Sequence, residues 1–132
     1  MLCVSVDIDS VAHYLALYGE HTSDHAARTL TAQTYGTGVR RFLELFDALG
    51  VAATFFVVGQ DLEVPAVAEV LRGAAAAGHE IGNHTWSHPY DLIHRNPAEI
   101  RAELVRAHDI IADITRPPCG FRTPGYNTAA AV

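Results

Sequence analysis

Short apolar runs alternate along this chain with segments of helical length, and that alternation restricts the fold more than any single motif does. Leu2-Cys3-Val4-Ser5-Val6 reads as a buried strand ending at Asp7, and Val51 to Val58 is a second run, β-branched and aromatic, closed by Gly59. Between them Val39, Phe42, Leu43, Phe46 and Leu49 recur at helical spacing, with Gly36 and Gly38 ahead of the helix and Gly50 as its stop. Pro65 starts another helix, whose apolar positions Val67, Val70 and Leu71 lead through an alanine run to Gly78. Glu80 to His84 predicts a third short strand. Pro97 then opens a long amphipathic helix with Ile100, Leu104, Ala107, Ile110, Ile111 and Ile114 on one face, Pro117-Pro118 ends it, and Gly120-Phe121-Arg122 is read as a fourth strand.

Antiparallel neighbours need only a tight turn, whereas parallel ones need a crossover of helical length. The order β, α, β, α, β, α, β therefore predicts an α/β architecture with parallel strands. The stretch from His13 to Thr34 has weak periodicity and reads as an irregular loop with one short helix, a kind of segment that is often functional. Four β/α units do not close a barrel by themselves, and Ala129-Ala130-Ala131-Val132 follows without a closing helix.

Composition narrows the partners. A chain of 132 residues that is 49% hydrophobic can build one core, and 9 basic against 15 acidic residues, with no basic stripe, argue against a nucleic-acid partner. No apolar run approaches the roughly 20 residues of a membrane span, and the apolar start MLCVSVDI lacks the flanks of a signal peptide. A cytoplasmic protein without a membrane partner is the expectation. Cys3 and Cys119 fit no metal or disulfide spacing and are read as small buried hydrophobes. The eight histidines are the unusual number, and they direct the search to metal or acid/base chemistry.

Asp7 and Asp9 stand at the end of the first strand, the end at which parallel α/β folds place ligands and catalytic groups. Two carboxylates there permit a division of labour: one binds a cation and stays ionised, while its neighbour takes a proton from water. A strand-end aspartate equally serves to cap the following turn. His84 and His88 form H-x-x-x-H after the third strand; four residues apart, they share one face of a helical turn and can converge on one ion, although such a pair is often incidental. Two histidines and one carboxylate leave positions open for water and substrate. His79, ahead of that strand, is read as structural. His13, His21, His25, His94 and His108 lack partner spacing and are assigned surface or supporting roles, with His13 and His25 placed where their loop can fold over the site. Arg122 can pair with Asp7 and orient it, and the turn through Pro124, Gly125 and Tyr126 presents backbone N–H groups that can face an oxyanion or simply form a Pro-Gly turn.

Taken together, these segments resemble the polysaccharide deacetylases with NodB homology, carbohydrate esterase family four. Val6-Asp7-Ile8-Asp9-Ser10 is similar to the first family motif, Ala53 to Gly59 to its second strand, Gly78 to His88 to its histidine motif and Arg122-Thr123-Pro124-Gly125 to the third. The resemblance implies the first half of a distorted parallel (β/α) barrel, with residues 1–132 forming the N-terminal part of a single NodB-homology domain whose C-terminal part, with its late Leu-x-His general acid, is missing. It further implies Asp7 as general base, Asp9, His84 and His88 as ligands of a divalent metal (zinc, with cobalt or nickel as alternatives), and Arg122 as the support of the base. Gly125 or Tyr126 would supply the oxyanion N–H.

Two departures bear on substrate. The usual adjacent Asp-Asp is here Asp7-Ile8-Asp9, a spacing that resembles the branch with peptidoglycan deacetylase-like proteins, cyclic imide hydrolases and cofactor-independent allantoinases. Gly125 also stands where many members carry tyrosine, which displaces the ring to Tyr126 or removes it. The implied activity is hydrolysis of the amide of an N-acetylated glycan. A small cyclic imide or ureide as substrate, or a catalytically silent metal-binding module, are the alternatives. Family members often form homo-oligomers.

Overall fold

A computed structural model describes residues 3–129. Leu2 of the first predicted strand and Ala130 to Val132 lie outside the described residues. Strand β1 (Val4–Ile8) pairs in parallel with β2 (Ala53–Val57), and β2 pairs in parallel with β3 (Glu80–Asn83), giving the sequential order β1-β2-β3. The predicted fourth strand is reduced to one parallel bridge between Asn83 and Phe121, made by Asn83 N–H to the Gly120 carbonyl (2.9 Å) and Arg122 N–H to the Asn83 carbonyl (3.0 Å). That bridge is enough to bring Arg122 beside the ends of β1 and β3. Each strand's neighbour in space is its neighbour in sequence, which is how a (β/α) barrel begins.

Side-chain alternation along the strands separates two faces. Val4, Val6 and Ile8, Ala53, Phe55 and Val57, and Ile81 face the helices and form the core with Val67, Val70 and Leu71 of α4 (Pro65–Ala76) and Ile111 of α5 (Pro97–Ile114). Ser5, Asp7, Thr54, Phe56, Glu80 and Gly82 alternate with these residues and share the opposite face, where the Thr54 hydroxyl donates to Glu80 Oε2 at 2.6 Å. The helix starts are those expected of the sequence: Pro65 and Pro97 occupy first-turn positions that need no N–H, and Asn96 with Glu99 forms a capping box on α5. Among the described residues no helix is long and apolar enough to cross a membrane.

The irregular loop with one short helix expected between His13 and Thr34 is instead two helices, α1 (Val11–Leu17) and α2 (Asp24–Gln33). From α2 the chain continues through a π-helical stretch, Thr34–Val39, into α3 (Arg40–Leu49) with αR backbone at both junctions. Gly36 and Gly38 therefore lie inside a continuous helical rod and not ahead of it. The wide turn carries Tyr35 and Val39 fully into the core, which weak 3.6-residue periodicity had concealed. Gly50 ends the rod with φ +62°, as a left-handed C-cap requires. Cys3 and Cys119 are both exposed, contrary to the buried reading: Cys3 precedes β1, and Cys119 follows the Pro117-Pro118 break where no layer covers it.

Gly59 opens the 3-10 segment Gly59–Glu63 that packs against α5. A Cβ there would stand 3.0 Å from the Ala107 Cα and 2.9 Å from the Trp86 ring, so helix and loop can approach only over hydrogen. Gly59→Ala is expected to lower stability by about 1–3 kcal/mol in urea denaturation, the usual cost of overpacking against backbone.

Candidate metal centre and active site

Asp9 follows β1, His84 follows β3, and His88 closes the loop after it, so all three lie at the C-terminal edge of the sheet. The structure brings their ligand atoms within 4.8 Å of one another. Asp9 Oδ1 is 3.5 Å from His84 Nε2 and 3.0 Å from His88 Nε2. Two ligands about 2.0–2.1 Å from a tetrahedral ion stand roughly 3.3 Å apart, so these separations match those a bound cation imposes. Although buried, Asp9 Oδ1 and both ring nitrogens of His88 have no hydrogen-bond partner. Short approach without hydrogen-bond geometry means that lone pairs converge, an arrangement that a cation satisfies. One carboxylate with two imidazoles suits zinc, cobalt or nickel. Burial opposes the charge on Asp9, but attraction from the adjacent His84 and His88 imidazoles outweighs it and holds the carboxyl well below the ordinary carboxylate range.

The two histidines do not meet on a helical turn. The segment from His84 to His88 is a loop in which Thr85 (φ +69°) and His88 (φ +56°) are left-handed. Such backbone costs about 1–2 kcal/mol per residue and persists only where its surroundings impose it. Asn83 Oδ1 accepts from Thr85 N–H at 2.8 Å, and Thr85 Oγ1 from His88 N–H at 3.1 Å. Glu103 of α5 accepts from Trp86 N–H (3.0 Å), Ser87 N–H (2.8 Å) and the Ser87 hydroxyl (2.8 Å). On its other side the loop continues the sheet: Val57 accepts from His84 N–H at 3.0 Å, and Thr85 accepts from Gly59 N–H at 2.9 Å.

Arg122 occupies the centre of the constellation. Its guanidinium donates to Asp7 Oδ1 (2.5 Å) and Ser5 Oγ (2.9 Å) and lies 4.2 Å above the Phe56 ring. Its carbonyl accepts from His84 Nδ1 at 2.7 Å, which fixes that imidazole as the Nδ1–H tautomer and leaves Nε2 free as a ligand atom. Phe56 can lie flat there because residue 82 is glycine; a Cβ at that position would stand 2.6 Å from its ring.

The remaining predicted residues are partly brought in. Gly125 (φ +62°) and Tyr126 (φ +56°) form a 3-10 turn over buried Pro124, and Tyr126 N–H is engaged by the Thr123 carbonyl at 3.3 Å. Of the two oxyanion N–H candidates, that leaves Gly125. The Tyr126 ring is exposed and its hydroxyl lies beside Asp7, whose hydrogen bond and charge push the phenol pKa up. His79 is buried at the other end of β3, where Nδ1 accepts from Ala53 N–H at 3.1 Å. His21, His25 and His94 are exposed and His108 is half-buried.

Sequence reasoning missed the roles of Glu103, Asn83, Asp61 and Tyr35. For Glu103 a signal exists, since it is an acidic residue at a position of α5 that Ile100 and Ala107 mark as the inward face. Asp61 is 4% exposed beside the fully buried Tyr35, and burial raises its carboxyl pKa to about 7. Burial likewise lowers His13, 3.5 Å from Asp61, to about 4.

Comparison with known proteins identifies the family. The polysaccharide deacetylase family model matches residues 20–131. The chain belongs to the polysaccharide deacetylase family. It is 33% identical over 133 residues to a peptidoglycan deacetylase of Helicobacter pylori, covering 96% of this chain and 42% of that protein. A structure from Mycobacterium smegmatis, assigned to the polysaccharide deacetylases, superposes with TM-score 0.77 and 28% identity over 97% of this chain and 44% of its own. A family 4 acetyl xylan esterase from Clostridium thermocellum, in complex with a cobalt ion, gives TM-score 0.66 and 25% identity over 98% and 51%. The chain thus spans about half the length of these relatives.

Two outcomes check the geometry. Glu103→Ala strips the partner from two loop N–H groups and is expected to cost about 2 kcal/mol or more in thermal unfolding and to weaken cation binding. Asp61 has a folded pKa above its unfolded value, so the folded state binds the extra proton and the carboxyl costs stability as pH rises from about 4 to about 7. Asn mimics the protonated form. Urea midpoints with chelator present are therefore expected to rise for Asp61→Asn relative to the unsubstituted chain across that window, and to differ little below it.

Proposed function

We propose that this chain carries the metal centre and general base of a hydrolase that removes the acetyl group from an N-acetylated glycan. The observation that carries the reading is the juxtaposition, at one end of the sheet, of the converging Asp9, His84 and His88 with a second carboxylate, Asp7, held by Arg122. Asp9, His84 and His88 would hold a divalent cation, zinc by preference with cobalt or nickel able to serve, and that cation would supply Lewis-acid polarisation and acidify the attacking water.

The protein groups then divide the work. Asp7, not engaged by the two histidines, takes a proton from the attacking water as its oxygen bonds to the amide carbon. Arg122 keeps the Asp7 carboxylate aimed through a charge-assisted hydrogen bond, and the Phe56 ring supports the guanidinium from below. Gly125 N–H is the backbone donor proposed for the developing oxyanion. As the C–N bond breaks, the leaving nitrogen takes up one proton, which balances the one that Asp7 received. By the family resemblance its donor is a histidine of the C-terminal half-domain, so full turnover needs that half beside these residues.

Asp7-Ile8-Asp9 spacing favours one second reading, a small cyclic imide or ureide as substrate. Release of acetate from chitooligosaccharide or peptidoglycan by the full-length protein supports the glycan; opening of hydantoin-like rings without acetate release replaces it.

His84→Ala is expected to lose bound metal, read by elemental analysis, and activity together. Asp7→Asn is expected to keep the metal and lower kcat by about 10²–10⁴. Full activity in Asp7→Asn would remove Asp7 from its role.

A further inference from the structure

The two histidines of the centre are oriented by different means. His84 has a fixed acceptor for Nδ1–H, the Arg122 carbonyl at 2.7 Å, the usual way in which a ligating imidazole receives its tautomer and ring plane. His88 has no such acceptor, and both of its nitrogens are buried without a hydrogen-bond partner. Left to itself, the terminal torsion of a histidine is broad and imposes no single ring plane.

What His88 has is a neighbour on its face. His13 of α1 stacks on it with ring centroids 5.3 Å apart and 15° between planes. The edges of His84 and Tyr90 close other sides at 4.9 Å and 4.8 Å, inclined by 64° and 85°. Each nitrogen of His13 faces a buried polar group: Nδ1 is hydrogen-bonded at 3.3 Å to Oγ of the fully buried Ser10, and Nε2 is 3.5 Å from Oδ1 of the buried Asp61. It does not belong to the group of converging ligand atoms.

We propose that His13, clamped between Ser10 and Asp61, is a positioning residue that sets the ring plane of His88, so that the cation site is complete only when α1 is docked. The inference rests on the reading of Asp9, His84 and His88 as cation ligands. A flat wall on one face, with two ring edges opposing rotation, does for His88 what a carbonyl does for His84. Ligand sets tolerate deviations of only about 10–20°, so the wall acts on affinity without touching the ion.

The test is Co²⁺ affinity by chelator competition, with the Co²⁺ absorption spectrum as a second readout, on the full chain and its His13→Ala, His13→Leu, His13→Phe and His84→Ala variants. His13→Ala and His13→Leu are expected to bind about 10- to 100-fold more weakly with altered absorption bands, the size of effect seen when an orienting partner of a ligating histidine is lost. His13→Phe keeps a ring against His88 and is expected to stay close to the unsubstituted chain in both readouts. If His13→Ala fails to fold by circular dichroism, the contrast between Leu and Phe, which fill similar space with and without a flat face, carries the test alone. Unchanged affinity and spectrum in His13→Leu would overturn the proposal, as would a His13→Phe as weak as His13→Leu. Absence of any Co²⁺ binding that His84→Ala removes would instead overturn the reading of the site itself, and the proposal with it.

Discussion

The side chain and the carbonyl of Arg122 serve two different residues. The guanidinium holds Asp7 at the end of β1, and the carbonyl holds the Nδ1–H of His84 at the end of β3. A single residue thereby fixes the distance between the Asp7 carboxylate and the His84 imidazole, which lie at the ends of different strands. It can do so because the chain after α5 returns to the sheet at Phe121 and adds a bridge beside β3. A second support lies under the guanidinium, where glycine at position 82 leaves room for the Phe56 ring. The local consequence is that the spacing between Asp7 and the cluster of Asp9, His84 and His88 depends on sheet register.

The histidine loop shows how local strain is sustained by tertiary contacts. Left-handed backbone at Thr85 and His88 has no intrinsic support, yet it directs both imidazoles inward from a short segment. The compensation is distributed between Asn83 at the strand end, the Thr85 hydroxyl within the loop and the Glu103 carboxylate on α5. Each of these satisfies backbone N–H groups that burial would otherwise leave costly. Strain of this kind is common where a site must be held open for a ligand.

Beneath the centre lies a second layer of polar residues that reaches the core. The π-helical stretch turns Tyr35 inward beside Asp61, Asp61 faces His13, and His13 lies against His88. These groups come from four separate elements, and their burial keeps Asp61 and His13 from carrying full charge at neutral pH. A neutral His13 places no positive charge beside the His84 and His88 imidazoles.

Strands, helices and the identity of the central residues were legible in the sequence because each has a local cause. Alternating apolar runs mark β1 to β3, proline and glycine mark the starts of α4 and α5 and the end of α3, and acidic and histidine residues stand out at strand ends. The continuous rod through Tyr35 was not legible, since a π turn breaks the period on which helix reading depends. Nor were the left-handed loop, the exposure of Cys3 and Cys119, or the inward roles of Glu103 and Asp61. The sequence by itself determined β1 to β3, α4, α5 and which side chains could do chemistry, for these follow from propensity and spacing within a few residues. Only the tertiary structure decided which histidine meets Arg122 and which meets His13, because those contacts join residues distant along the chain and depend on strand register and helix docking.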